Sequence, residues 1–202
     1  MKKTLICIVV ILGLTILSLL ISSWAKRQPQ AQPQNILESV NETTVFLGSE
    51  SMWHDIQIEL KDVQGLWGGR NIFISGSGRA IVQVVNPEPE KGLGLFEKRY
   101  ALSLNDSEVK KLINAFVEND FVTIDIKDRP GVPDEARPEI ILVNPKGEYC
   151  KIAKWANDQN ERFDQIYQQI LLIQNQTEDL SPVLESKWNW ENFMPEGFYK
   201  DK

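Results

Sequence analysis

Residues 55–85, DIQIELKDVQGLWGGRNIFISGSGRAIVQVV, carry the reading that decides the fold. Ile56, Ile58 and Leu60 alternate with Asp55, Gln57 and Glu59, the period-two pattern of a strand with one buried face. GLWGGR, 65–70, reads as a loop, and strands are expected over 71–75 and 80–85. Gly76-Ser77-Gly78 joins them, because glycine supplies the positive φ of a tight hairpin. The stretch therefore predicts an antiparallel sheet.

Working outward from it, 96–102 reads as a further strand. Asn105 stands three residues before Glu108, as in a capping box, and Val109, Leu112, Ile113 and Phe116 recur at helical spacing. Residues 121–126 look short and β-like, whereas 128–138, DRPGVPDEARP, holds three prolines and cannot be regular. Strands at 139–143 and 148–154 flank the turn Asn144-Pro145-Lys146-Gly147. A second amphipathic helix is expected over 160–174, with Phe163, Ile166, Tyr167, Ile170 and Ile173 on one face. The expected class is α+β: a mostly antiparallel sheet of five to seven strands with two amphipathic helices on one face.

The amino-terminal part has another character. Residues 5–21 read LICIVVILGLTILSLLI without a charge, between Lys2 and Lys3 on one side and Lys26 and Arg27 on the other. As a helix, 5–24 would span about 30 Å, the hydrocarbon thickness of a bilayer, with Trp24 at the interface. A transmembrane anchor or signal segment is expected over 1–27, with the membrane as partner through 5–24. The domain is expected outside the cytoplasm, or released after cleavage near Ala25. RQPQAQPQN, 27–35, cannot bury a core, so 28–51 reads as a flexible tether, 52–176 as the domain and 177–202 as an aromatic-rich tail packing on it.

Composition narrows the chemistry. The chain has 202 residues, two cysteines and one histidine, which leaves no multi-histidine metal centre, zinc finger or disulfide framework, and no cofactor or metal is expected. With the four basic residues flanking the anchor set aside, 18 basic face 28 acidic residues, a balance near −10 that opposes nucleic acid as a partner. His54 and Cys150 are the remaining candidates for chemistry, and neither stands in a nucleophile motif. A small hydrolase using that pair is the least favoured reading. The GLWGGR and GSG glycines match neither phosphate-loop pattern.

The order of GSG hairpin, tyrosine-containing strand, LSLNDSEVKKLINAFVENDFVTI, proline-rich acidic loop, EIILVNPKGEYCKIAKW and closing helix resembles a group of uncharacterised exported, membrane-anchored bacterial domains. The likeness runs over 67–173 and rests on packing and turn residues. The run of glycine hairpin, helix and hairpin is also similar in topology to emfourin-type inhibitors of bacterial metalloproteases. The resemblance implies this α+β fold and, from the second group, an inhibitor-like module that occludes a target with a loop.

Candidate contact residues follow from the irregular segments. The 128–138 loop is stiffened by proline and interleaves Arg129 and Arg137 with acidic side chains including Asp134 and Glu135. A stiff loop lowers the ordering cost of binding. Trp67 and Arg70 stand in the GLWGGR loop. Five of the 18 aromatic residues fall in the last 15 positions, Trp188 and Trp190 among them. Such residues anchor interfaces. The function expected from sequence is a non-catalytic module binding another protein or an envelope component.

Overall fold

The computed structural model describes residues 40–189. Seven strands form one sheet: β1 Gln57–Gln64, β2 Gly68–Ser75, β3 Arg79–Pro87, β4 Leu95–Ser103, β5 Glu139–Val143, β6 Tyr149–Ala153 and β7 Leu184–Lys187. Their order is β6-β5-β1-β2-β3-β4-β7, and every neighbouring pair is antiparallel. Among the described residues three α-helices accompany them: α1 Glu42–Leu47, α2 Asp106–Glu118 and α3 Glu161–Asn175. The fold class is α+β, as the alternation at 56–60 requires.

Alternation sends one set of strand residues toward the helices. Ile58 and Leu60 of β1, Ile72 and Ile74 of β2, Ala80 and Val82 of β3, and Ile140 and Leu142 of β5 form one core with the helices. Val109, Leu112, Ile113 and Phe116 of α2 and Phe163, Ile166, Ile170 and Ile173 of α3 complete it. Each such side chain contributes about 1.5–3 kcal/mol on leaving water, so the two apolar stripes dominate helix docking. Asn105 and Glu108 form the capping box that starts α2, and the Asn160 side chain accepts from Phe163 N–H at the start of α3.

The opposite sheet face is also buried at its centre, but by a mixed set. Phe73, Gln83, Val85 and Glu97 are all buried there. Asn71 donates to Gln83, Gln83 donates to the Glu97 carboxylate, and Ser186 and Arg99 also donate to Glu97. This row crosses β2, β3, β4 and β7, so it ties the short edge strand to the sheet. Burial works to raise the Glu97 pKa, yet the hydrogen bonds from Arg99, Gln83 and Ser186 outweigh it and hold the group below the ordinary glutamate range.

Two expectations need correction. The described fold begins well before Met52: α1 occupies 42–47 inside the segment read as tether. Its cause is legible in retrospect. Asn41 caps it by accepting from Thr44 N–H, Leu47 is buried, and Gly48 ends it at φ 75°. Residues 121–126 do not form a strand either; Phe121–Thr123 is a 3-10 turn. Asp120 is left-handed at φ 41°, and Arg162 of α3 donates to the Asn119 and Asp120 carbonyls. The chain entering the segment is thus held by a helix side chain, and inside it Val122 N–H donates to Thr43 Oγ1 and Ile124 N–H to the Phe121 carbonyl instead of to a strand. No helix among the described residues is long and apolar enough to cross a membrane, and the expected anchor at 5–24 lies outside those residues.

Candidate functional site

Antiparallel pairing places the β1–β2 turn, the β3–β4 connection and the end of β7 on one rim of the sheet. Gly69 lies opposite Val85, Pro87 opposite Leu95, and Phe96 opposite Lys187. The turn Gly65-Leu66-Trp67 is fixed by the glycines that follow it. A Cβ on Gly68, at φ 82°, would lie 2.0 Å from the Val85 carbonyl oxygen. One on Gly69, at φ 135°, would lie equally close to the Asp62 carbonyl. Only glycine allows the three strands to approach this closely beneath the turn.

That rigid base presents apolar side chains to solvent. Leu66 is 64% exposed and Trp67 66%; Leu93, at the tip of the neighbouring β3–β4 connection, is 93% exposed. On the same rim lies a groove of about 570 Å3 lined by Leu66, Pro87, Leu95, Lys187 and Trp188. Trp188 is held there by its backbone N–H, which donates to the Leu95 carbonyl at 2.9 Å. Trp67 and Trp188, far apart in sequence, therefore belong to one end of the molecule. Trp190 lies outside the described residues.

Arg70 serves the base of this turn. It stands opposite Asp62 in the β1–β2 pair, with Nε 3.9 Å from the Asp62 carboxylate. Tyr167 of α3 donates its hydroxyl to the same carboxylate at 2.6 Å. Burial pushes the Asp62 carboxyl above its ordinary value, against the hydrogen bond from Tyr167 and the charge of Arg70. Burial and the adjacent Asp62 likewise push the Tyr167 phenol upward. The cluster fastens a helix to the hairpin that carries Trp67.

The 128–138 loop approaches the same rim, since β5 starts at Glu139 opposite Lys61, near the end of β1. Its charges are consumed internally. Arg129 donates to both Glu135 oxygens, at 2.8 and 3.0 Å, and to Asp158 at 2.7 Å. Glu135 also accepts from Asn157 N–H, and the Arg129 hydrogen bond holds its carboxyl below the usual range. Trp155 supports the loop: the Arg129 and Arg137 guanidinium carbons lie 5.6 and 5.3 Å from its ring centre, and its Nε1–H donates to the Arg129 carbonyl. Arg137 pairs with Asp128. Asp134, left-handed at φ 64°, remains exposed at the tip near Val132. Of the four loop residues singled out from sequence, Arg129 and Glu135 build the loop, Arg137 flanks Trp155, and Asp134 faces solvent.

The two candidates for chemistry lie on different elements toward the rim opposite Trp67. His54 is exposed in the 3-10 turn Glu50–Asp55, whose Trp53 carbonyl packs on Gly76 at the opposite rim. Cys150 lies on edge strand β6, two strands from β1, packed against the core. Burial raises its thiol pKa, which works against a thiolate. Sequence reasoning passed over Leu93 and Leu66, whose exposure follows from neighbouring turns that only the register brings together. Compared with known proteins, the chain matches no family model and no curated sequence.

Proposed function

We propose that the protein is a membrane-anchored, non-catalytic binding domain held outside the cytoplasm, and that the Leu66–Trp67–Leu93 rim is its contact surface for a partner protein. One observation carries this reading: three large apolar side chains stand exposed on adjacent turns, the first of which has its backbone fixed by Gly68 and Gly69. Soluble domains rarely leave such side chains grouped in water without a use. Trp is the strongest interface anchor, and a rigid turn presents it at low ordering cost.

Residues 46–56 run along the opposite rim, where the Phe46 carbonyl accepts from Asn144 and Ile56 O accepts from Gly76 N–H, and so leave the Trp67 rim uncovered by that segment. The inhibitor-like alternative draws on the loop braced by Trp155, which would occlude a target as a preformed wedge.

The test is photocrosslinking in cells. A photoreactive residue replacing Leu93 in the full-length protein should capture one partner, and the capture should disappear with Trp67→Ala. Persistence of the same product in Trp67→Ala would refute the rim. Capture of lipid in place of protein would refute a partner protein at the rim.

A further inference from the structure

A second surface lies on the outer side of the helices, away from the rim. Helices α2 and α3 run antiparallel, fastened at both ends. Arg162 of α3 donates to Asn119 O at 2.6 Å and to Thr123 Oγ1 at 2.6 Å beside the end of α2. Gln176, just past α3, donates to Glu108 in the first turn of α2 at 3.0 Å. Between these ties runs a groove of about 1060 Å3. That is at the upper end of the size range of ligand clefts, about 300–1,000 Å3.

Its walls are unusual in chemistry. Asn114 on α2 and Gln165, Gln168 and Gln169 on α3 line it, with Gln159 and Asn160 at one end. Helical spacing sets Asn114 in a stripe with Ser107 and Lys111, facing the stripe of Gln165, Gln168 and Gln169. Gln165 donates to Glu161 and Asn160 caps α3. Asn114, Gln159, Gln168 and Gln169 make no hydrogen bond to other described residues, so their amides offer both donors and acceptors to a ligand.

The ligand chemistry follows by exclusion. Lys110 and Lys111 are set against Glu118, Glu161 and Asp164, so the groove has no charge excess for a polyanion or an anionic lipid surface. Ala115 is the single apolar residue of the lining, so no hydrophobic residues are gathered there to receive the apolar side chains of a peptide. What matches facing rows of amides is a neutral chain dense in hydroxyl and amide groups. We propose that the α2–α3 groove binds a neutral oligosaccharide strand through the amides of Asn114, Gln159, Gln168 and Gln169. The site is independent of the Trp67 rim.

The experiment uses the full-length protein in a detergent without sugar groups, with the side-chain amide signals followed by NMR. The probe is N-acetylchitohexaose, with maltohexaose as the arm that separates recognition of acetamido groups from recognition of hydroxyls. Saturable shifts of the Asn114, Gln168 and Gln169 amides by either sugar support the site. The double variant Gln168→Ala/Gln169→Ala should weaken binding at least about tenfold, the consequence of losing at least two hydrogen bonds. Trp67→Ala should leave it unchanged. The proposal is overturned if neither sugar gives saturable shifts up to about 10 mM, well past weak millimolar binding. It is equally overturned if binding survives the double variant undiminished, or if an uncharged polar hexapeptide shifts the same signals and the sugars do not.

Discussion

Replacing Tyr167 by Phe removes one oxygen and leaves the ring in place, still stacked on Phe163 with centroids 6.3 Å apart. The lost group donates at 2.6 Å to the Asp62 carboxylate, whose remaining partner is Arg70 Nε at 3.9 Å. A hydrogen bond to a charged acceptor contributes about 1.5–3 kcal/mol, against about 0.5–1.5 for a neutral one. At pH 7 the variant should therefore lose about 1.5–3 kcal/mol, or about 4–10 °C in Tm for a domain of this size. The loss should also depend on pH. Burial already holds the Asp62 pKa above its unfolded value, so the folded state takes up a proton in that window and stability falls as pH rises through it. Removing the phenol donor takes away an interaction that lowers this pKa, which moves the folded value higher still. The deficit of Tyr167→Phe is thus complete above that value and shrinks on acidification, as the carboxyl becomes neutral in both proteins. Thermal unfolding of both proteins at several pH values between 7 and 4 measures the difference, in which other titrating groups cancel. A deficit that stays constant with pH, or that persists in an Asp62→Ala background, would refute the coupling of α3 to the Trp67 hairpin.

Four shorter predictions follow from other parts of the structure. Gly68→Ala should cost at least about 2 kcal/mol, since the left-handed backbone alone costs about 1–2 and the new methyl meets the Val85 carbonyl at 2.0 Å. Gly147→Ala has a similar φ of 83° but open space around it, so denaturant titration should show a loss near about 1–2 kcal/mol, the backbone cost alone. In a Cys7→Ala background, Cys150 should react with iodoacetamide at pH 8 at least about tenfold more slowly in the native protein than in urea, because burial disfavours its thiolate. Trp155→Ala should loosen the loop around Glu135 and raise cleavage by a glutamate-specific protease after that residue about tenfold or more, since cleavage follows local opening. Equal cleavage rates would show that the arginine–tryptophan contacts do not brace the loop.

The sheet was legible because alternation at 56–60 has one physical cause, burial of a single face, and the helices because their apolar stripes and caps are local. The tether boundary was misread because the glutamine and proline content of 27–35 overshadowed the short cap signal at Asn41, and six helical residues give little periodicity. Residues 121–126 have strand composition, yet distant side chains hold the chain there in another path: Arg162 binds the Asn119 and Asp120 carbonyls just before it, and Thr43 accepts from Val122 N–H. The row Asn71, Gln83 and Glu97 could not be read at all, since polar residues within strands acquire partners only once the register is known. The rim shows both sides of this. Trp67 and Trp188 stood out individually as aromatic residues in irregular segments, but Leu93 looked like any loop residue. Only pairing of Pro87 with Leu95 and of Phe96 with Lys187 gathers them.

The most direct test of the rim as contact surface compares two photocrosslinking positions in the full-length protein in cells. One replaces Trp67; the other replaces Tyr149, which is 70% exposed at the start of β6 by the opposite rim. The account predicts a discrete protein crosslink from position 67 and none of the same product from position 149. The same product from both positions, or from position 149 alone, would contradict it.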